Sequence, residues 1–107
     1  MNAPREILPR ELVPLLEADA VTILDVRTEE EIRLCPFPRA LHVPLHELPH
    51  RHPEVPRDRP LVTVCHHGVR SLHAAMFLGS VGFRDVRSLR GGTDAWALAV
   101  DPRMPRY

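Results

Sequence analysis

Leu61-Val62-Thr63-Val64-Cys65-His66-His67-Gly68-Val69-Arg70-Ser71 is the stretch around which the rest of the chain is read. Leu61 to Val64 is apolar and largely β-branched, follows Pro60 and stops at polar residues, which is the pattern of a strand buried on both faces of a parallel sheet. Cys65 then stands at the carboxyl end of that strand. Ligands of open α/β sheets bind in the crevice beyond the strand C-termini, where main-chain N–H groups and a helix N-terminus converge on an anion. Four residues separate Cys65 from Arg70, and Gly68 among them lets the backbone bend so that its N–H groups face inward. Joined by the N-terminus of a helix beginning near Ser71, such a ring of dipoles would favour the thiolate of Cys65 and would hold a persulfide or a small oxyanion. Arg70 adds a permanent planar cation able to pair with two oxygens of an anionic substrate. Ser71 is placed as a donor or as the helix cap.

Working outward, Ala20 to Val26 reads as a second buried strand that ends in the charged cluster Asp25, Arg27, Glu29, Glu30 and Glu31. Thr28 followed by three glutamates is an N-cap and first turn, with acids facing the positive end of the helix dipole. Glu6-Ile7-Leu8 reads as a short edge strand, and Pro9 to Glu17 as a first helix with Leu12, Leu15 and Leu16 at helical spacing and Pro14 disturbing its early part. Two prolines make Cys35-Pro36-Phe37-Pro38-Arg39 a loop. Ala40 to Val43 is then a brief third strand, His46 to His52 a short helix interrupted at Pro49, and Pro53 to Pro60 a surface connection.

Beyond the loop, Leu72, Ala75, Met76 and Gly79 fall at i, i+3, i+4 and i+7 and predict one apolar helix face, with Gly82 as a left-handed stop. Val86 to Leu89 is a strand, Arg90-Gly91-Gly92 a turn in which both glycines need positive φ, and Thr93 to Leu98 a last helix anchored in the core by Trp96. The expectation is one α/β domain over residues 1–107, a three-layer fold with a central parallel sheet of four to five strands and helices on both faces.

Composition sets bounds. A chain of 107 residues suffices for one α/β core and is too short for two. The formal net charge of +0 points to neither nucleic acid nor an anionic membrane as partner, so any anion preference must be local. All 14 cationic side chains are arginine. Met1 to Glu6 lacks a basic segment leading into an apolar one, and no apolar run approaches the roughly 20 residues of a membrane helix, so a cytoplasmic location is expected. Cys35 and Cys65 have no paired spacing, which fits an enzyme thiol better than a disulfide framework. Among the seven histidines, His42, His46 and His50 share an i, i+4, i+8 spacing, but Pro44 and Pro49 prevent one helix from presenting them together, so no metal site is expected. Asp25 and Arg27 read as a salt bridge bracing the loops.

Four fragments in order resemble the rhodanese family of sulfurtransferases: Leu24-Asp25-Val26-Arg27-Thr28-Glu29-Glu30-Glu31, Ala40-Leu41-His42-Val43-Pro44-Leu45, Cys65-His66-His67-Gly68-Val69-Arg70-Ser71, and Gly82-Phe83-Arg84-Asp85-Val86 with Leu89-Arg90-Gly91-Gly92-Thr93-Asp94-Ala95-Trp96. The resemblance implies transfer of a sulfane sulfur through a persulfide on Cys65. The donor would be an anion such as thiosulfate and the acceptor cyanide or a thiol, with no cofactor. His66, His67, Gly68, Val69, Arg70 and Ser71 would bind substrate, the amides from His66 to Arg70 holding the persulfide and Arg70 orienting the donor. Related phosphatases and arsenate reductases have one more residue in this loop, so its length favours sulfur transfer over a small-anion phosphatase. The same residues also suit a persulfide carrier that serves a sulfur-relay protein. A catalytically idle rhodanese-like binding module fits less well, because such a module usually loses the nucleophile and Cys65 is kept. The sequence departs from the family at Cys35 and Arg39, which stand where two glycines are usual; that region's place near the active-site mouth makes Cys35 a candidate resolving thiol.

Overall fold

The computed structural model describes residues 5–107; residues 1–4, read above for a leader, lie outside them. Five strands form one sheet: β1 Arg5–Ile7, β2 Thr22–Asp25, β3 Ala40–His42, β4 Leu61–Val64 and β5 Val86–Leu89. Their order is β1-β5-β4-β2-β3 and every pairing is parallel. The helices are α1 Pro9–Glu17, α2 Glu29–Leu34, α3 Leu48–Arg51, α4 Val69–Ser80 and α5 Gly92–Ala99, with 3₁₀ turns at Leu45–Glu47 and His52–Glu54.

The strands alternate their side chains between two apolar layers, as the two-residue period requires. Ile23, Val62, Val64 and Leu89 face a layer completed by Leu12 of α1, Trp96 and Ala97 of α5, Phe37 and Met104. Leu24, Leu61 and Val86 face the other, with Leu48 of α3, Ala74, Ala75 and Leu78 of α4, and Phe83. Fully burying each such Leu or Phe contributes about 1.5–3 kcal/mol. Trp96 is the expected anchor: it is buried, and its ring lies 5.0 Å from that of Phe37 in a tilted pair.

Two expectations needed correction. Helix α4 begins at Val69, ahead of Ser71, and it buries Ser71, Ala74, Ala75 and Leu78. The predicted stripe Leu72, Ala75, Met76 and Gly79 has the right period but the wrong phase, and Met76 is exposed. Gly68, with a left-handed φ of +99°, starts the helix two residues early, and the buried face is the one that Leu24, Leu61 and Val86 of the sheet cover. The stretch from His46 to His52 is likewise a 3₁₀ turn running into the four-residue α3, because Pro49 is accommodated in the first turn of a helix that starts at Leu48.

Arg27 is fully buried and braces the end of β2. Its Nε donates to Asp25 Oδ1 at 2.9 Å, Nη2 to Asp25 Oδ2 at 2.7 Å and to the Cys35 carbonyl at 2.7 Å, and Nη1 to the Tyr107 hydroxyl at 2.9 Å. Removing one partner of such a buried pair leaves an uncompensated charge. Arg27→Met is therefore expected to lower stability by about 3–5 kcal/mol in denaturant titration, with the double change Asp25→Leu/Arg27→Met recovering most of the loss.

Candidate active site

Consecutive strands leave the sheet in opposite directions at one place. From β2 the chain goes on to β3 at one edge, and from β4 it goes on to β5 on the other side, while β2 and β4 are themselves paired. The carboxyl ends of β2 and β4 therefore flank a topological switch point, the general position of ligand crevices in such sheets. Two segments meet there: the turn from β2 into α2, and the Cys65 loop from β4 into α4.

Cys65 is 1% exposed, and its Sγ lies inside its own loop. The Gly68 N–H donates to Sγ at 3.0 Å and the Ser71 N–H at 3.3 Å, while the thiol donates to Ser71 Oγ at 3.4 Å. Amide donors bond an anionic sulfur more strongly than a neutral one. Ser71 Oγ in turn lies 2.6 Å from Ser88 Oγ of β5, and Thr63 Oγ1 donates to the Ser71 carbonyl at 2.7 Å. Both serines are completely buried. The N–H groups of Val69 and Arg70 lie in the first turn of α4, where a helix supplies them no carbonyl of its own.

The loop is shaped by close backbone approach. A Cβ on Gly68 would stand 3.0 Å from Gly91 N, and Gly91 and Gly92 have φ of +76° and +63°, as the turn before α5 was expected to need. The Thr93 N–H donates to the Cys65 carbonyl at 2.9 Å and the Asp94 N–H to the His66 carbonyl at 3.2 Å. The start of α5 thus caps the outgoing end of β4.

Of the residues singled out in the sequence, Cys65, Gly68 and Ser71 form the sulfur pocket. His66 and His67 lie at the loop's outer side with rings 3.8 Å apart, and Val69 is exposed beside them. The Arg70 guanidinium is held in a two-pronged bridge, Nη1 to Glu31 Oε1 at 2.6 Å and Nη2 to Glu31 Oε2 at 2.8 Å. The Arg70 bridge holds the Glu31 carboxyl well below the usual carboxylate range, helped by bonds from Tyr107 and the Thr28 amide and opposed by partial burial. Asp25 and Arg27 form the predicted brace.

Glu31 and Tyr107 are site residues that sequence reasoning missed. Glu31 was legible only as the third residue after the Thr28 cap, a role it also fills, since Thr28 N–H donates to Glu31 Oε1 at 3.2 Å. The Tyr107 hydroxyl donates to Glu31 Oε2 at 2.7 Å, and its ring stacks on His66 with centroids 3.8 Å apart and planes 11° from parallel. Burial pushes the Tyr107 hydroxyl up to about 12, so it keeps its proton for that bond. Burial, with His67 alongside, pushes the His66 imidazole down and favours its neutral form. No sequence signal places a residue of the tail on the loop.

Cys35 is completely buried in the Trp96 layer, across the sheet from the Cys65 layer. That position offers no support for a resolving thiol. Arg39, where a glycine was expected, does take a left-handed φ of +57°, and its guanidinium donates to the Leu16 carbonyl at 2.9 Å. His42 Nε2 bonds the Arg27 carbonyl at 2.8 Å, and His46 projects into solvent. Among the described residues no helix is long and apolar enough to cross a membrane.

An α/β domain with a cysteine cradled by main-chain amides at the sheet's switch point defines the class, and residues 8–99 match the rhodanese-like domain family. The chain belongs to that family and is a rhodanese-type sulfurtransferase. It is 41% identical over 83 residues to a sulfurtransferase of Allochromatium vinosum, covering 78% of each chain. It is 36% identical over 96 residues to the thiosulfate sulfurtransferase GlpE of Shewanella oneidensis, covering 90% of this chain and 95% of that one. The crystal structure of a rhodanese-related protein from Thermoplasma volcanium superposes with a TM-score of 0.84 at 27% identity, over 96% of this chain and 99% of the other.

Proposed function

We propose that Cys65 carries the transferred sulfur as a persulfide, taking it from a donor such as thiosulfate and passing it to cyanide or a thiol. The observation that carries this reading is the buried Sγ atom held by the Gly68 and Ser71 amides at the start of α4. With thiosulfate, the Cys65 thiolate attacks the outer sulfur, the S–S bond breaks, and sulfite leaves with the bonding pair. The persulfide that forms keeps one negative charge, which the loop amides stabilise. An acceptor thiolate or cyanide then attacks the outer sulfur and Cys65 leaves as thiolate, which closes the cycle. The similarity to a relative named thiosulfate sulfurtransferase supports this donor class, and a protein thiol in a sulfur relay fits the same second step.

The test is intact mass spectrometry of the reduced protein before and after thiosulfate. The expected result is a gain of about 32 Da, one sulfur, that persists in Cys35→Ser because Cys35 lies in the other core layer. A gain lost in Cys35→Ser would overturn the assignment.

A further inference from the structure

The arginines that bond into this side of the loop are each matched by a carboxylate. Arg27 is paired with Asp25 at 2.7 Å, Arg70 with Glu31 at 2.6 Å and Arg106 with Asp94 at 2.8 Å. His66, stacked between His67 and Tyr107, adds no charge when neutral. These three guanidiniums therefore come to a passing anion already paired, beside the amides that hold the Cys65 sulfur. The Glu31 bridge takes the two-pronged edge of Arg70, so a donor that needs that edge must displace Glu31, which is itself tied down by Tyr107 and by the Thr28 cap. Whatever part of the Glu31 charge Arg70 leaves unbalanced repels a dianion such as thiosulfate twice as strongly as a donor with one negative charge at the same place, and a neutral donor not at all.

Resting on Cys65 as the sulfur carrier, we propose that Glu31 sets the donor preference of this site, favouring alkyl hydropersulfides of low charge over dianionic thiosulfate. In that reaction the Cys65 thiolate attacks the terminal sulfur of R–S–SH. The S–S bond breaks and R–S⁻ departs with the bonding pair, leaving Cys65–S–SH; one negative charge stands on each side. Arg70 can stay on Glu31 throughout, because nothing in this donor needs a two-oxygen clamp.

The experiment measures the rate of the one-sulfur mass gain with thiosulfate and with benzyl hydropersulfide in the wild-type protein, Glu31→Gln and Glu31→Asp. Glutamine keeps an acceptor for Thr28 and Arg70 while removing the charge, and aspartate keeps the charge. In Glu31→Gln the ratio of the thiosulfate rate to the hydropersulfide rate is expected to rise about tenfold, with Glu31→Asp retaining the wild-type ratio. Raising ionic strength from about 0.01 to 0.1 M shortens the screening length from about 30 to 10 Å and is expected to speed thiosulfate loading of the wild type more than that of Glu31→Gln. Loading by both donors with an unchanged ratio in Glu31→Gln, or a Glu31→Asp that behaves like Glu31→Gln, overturns the role of Glu31 and leaves Cys65 as carrier. Failure of the wild type to load from either donor overturns the carrier reading and this inference together.

Discussion

Cys65→Ser is expected to abolish sulfur loading and to lower thiosulfate:cyanide turnover by about 10³-fold or more, the scale seen when a nucleophile is removed from a catalytic unit. The hydroxyl differs from the thiol by one atom and stays within reach of the Gly68 and Ser71 amides, so the cradle itself is kept. What is lost is a group that ionises readily and forms an S–S bond; a serine hydroxyl is a weak nucleophile without an adjacent base. The nearest side-chain partner, Ser71 Oγ, is a hydroxyl bonded to the Ser88 hydroxyl and offers none. Stability should change by no more than about 1 kcal/mol, because no cavity larger than the sulfur-to-oxygen difference opens. Turnover and thermal melting measured on the same sample separate the two effects. Substantial turnover by a folded Cys65→Ser would mean that another group does the chemistry.

The second large effect is expected at Gly92. A Cβ there would overlap the carbonyls of Cys65 and His66, which are the acceptors for the Thr93 and Asp94 amides. Its φ of +63° adds the left-handed penalty of about 1 kcal/mol for an L side chain. Relief of the overlap requires the start of α5 to move off the end of β4, which breaks both bonds and opens the loop above Gly68. Gly92→Ala is therefore expected to cost about 3–5 kcal/mol, a large part of the 5–15 kcal/mol typical of a domain, and to reduce sulfur loading in whatever fraction remains folded. Gly79→Ala is the comparison: that glycine is inside α4 with open space where its Cβ would go, and the change should stabilise by about 0.5–1 kcal/mol. Equal denaturation midpoints for the two variants would show that the α5 junction tolerates displacement.

Glu31 shows why part of the site was hidden. As an amino acid three positions after Thr28 it is fully explained by capping, and nothing local asks for a second partner. Its bridge to Arg70 exists because β2 and β4 are neighbours in the sheet, which brings residues 39 apart in the chain within 2.6 Å. Arg70 at the start of α4 sits against the positive end of the helix dipole, a placement that read alone implied a ligand, and the carboxylate supplied by α2 is a partner that the local sequence did not announce. Helix α4 makes the complementary point, since a period of 3.6 is visible along its whole length while the buried face depends on how the helix lies on Leu24, Leu61 and Val86 of the sheet.

The sequence by itself determined the strand, loop and helix around Cys65, the positive-φ glycines of the β5–α5 turn, the Thr28 cap and the Asp25–Arg27 brace. All of these rest on rules that act over a few residues: side-chain period, allowed φ and the reach of a short side chain. Only the tertiary structure decided that Glu31 holds Arg70, that Tyr107 lies on His66, and that Cys35 faces the opposite layer from Cys65. Those pairings follow from strand order and from the path of the tail. Strand order is settled by how the whole set of apolar faces is buried at once, and that balance is carried by no single stretch of the chain.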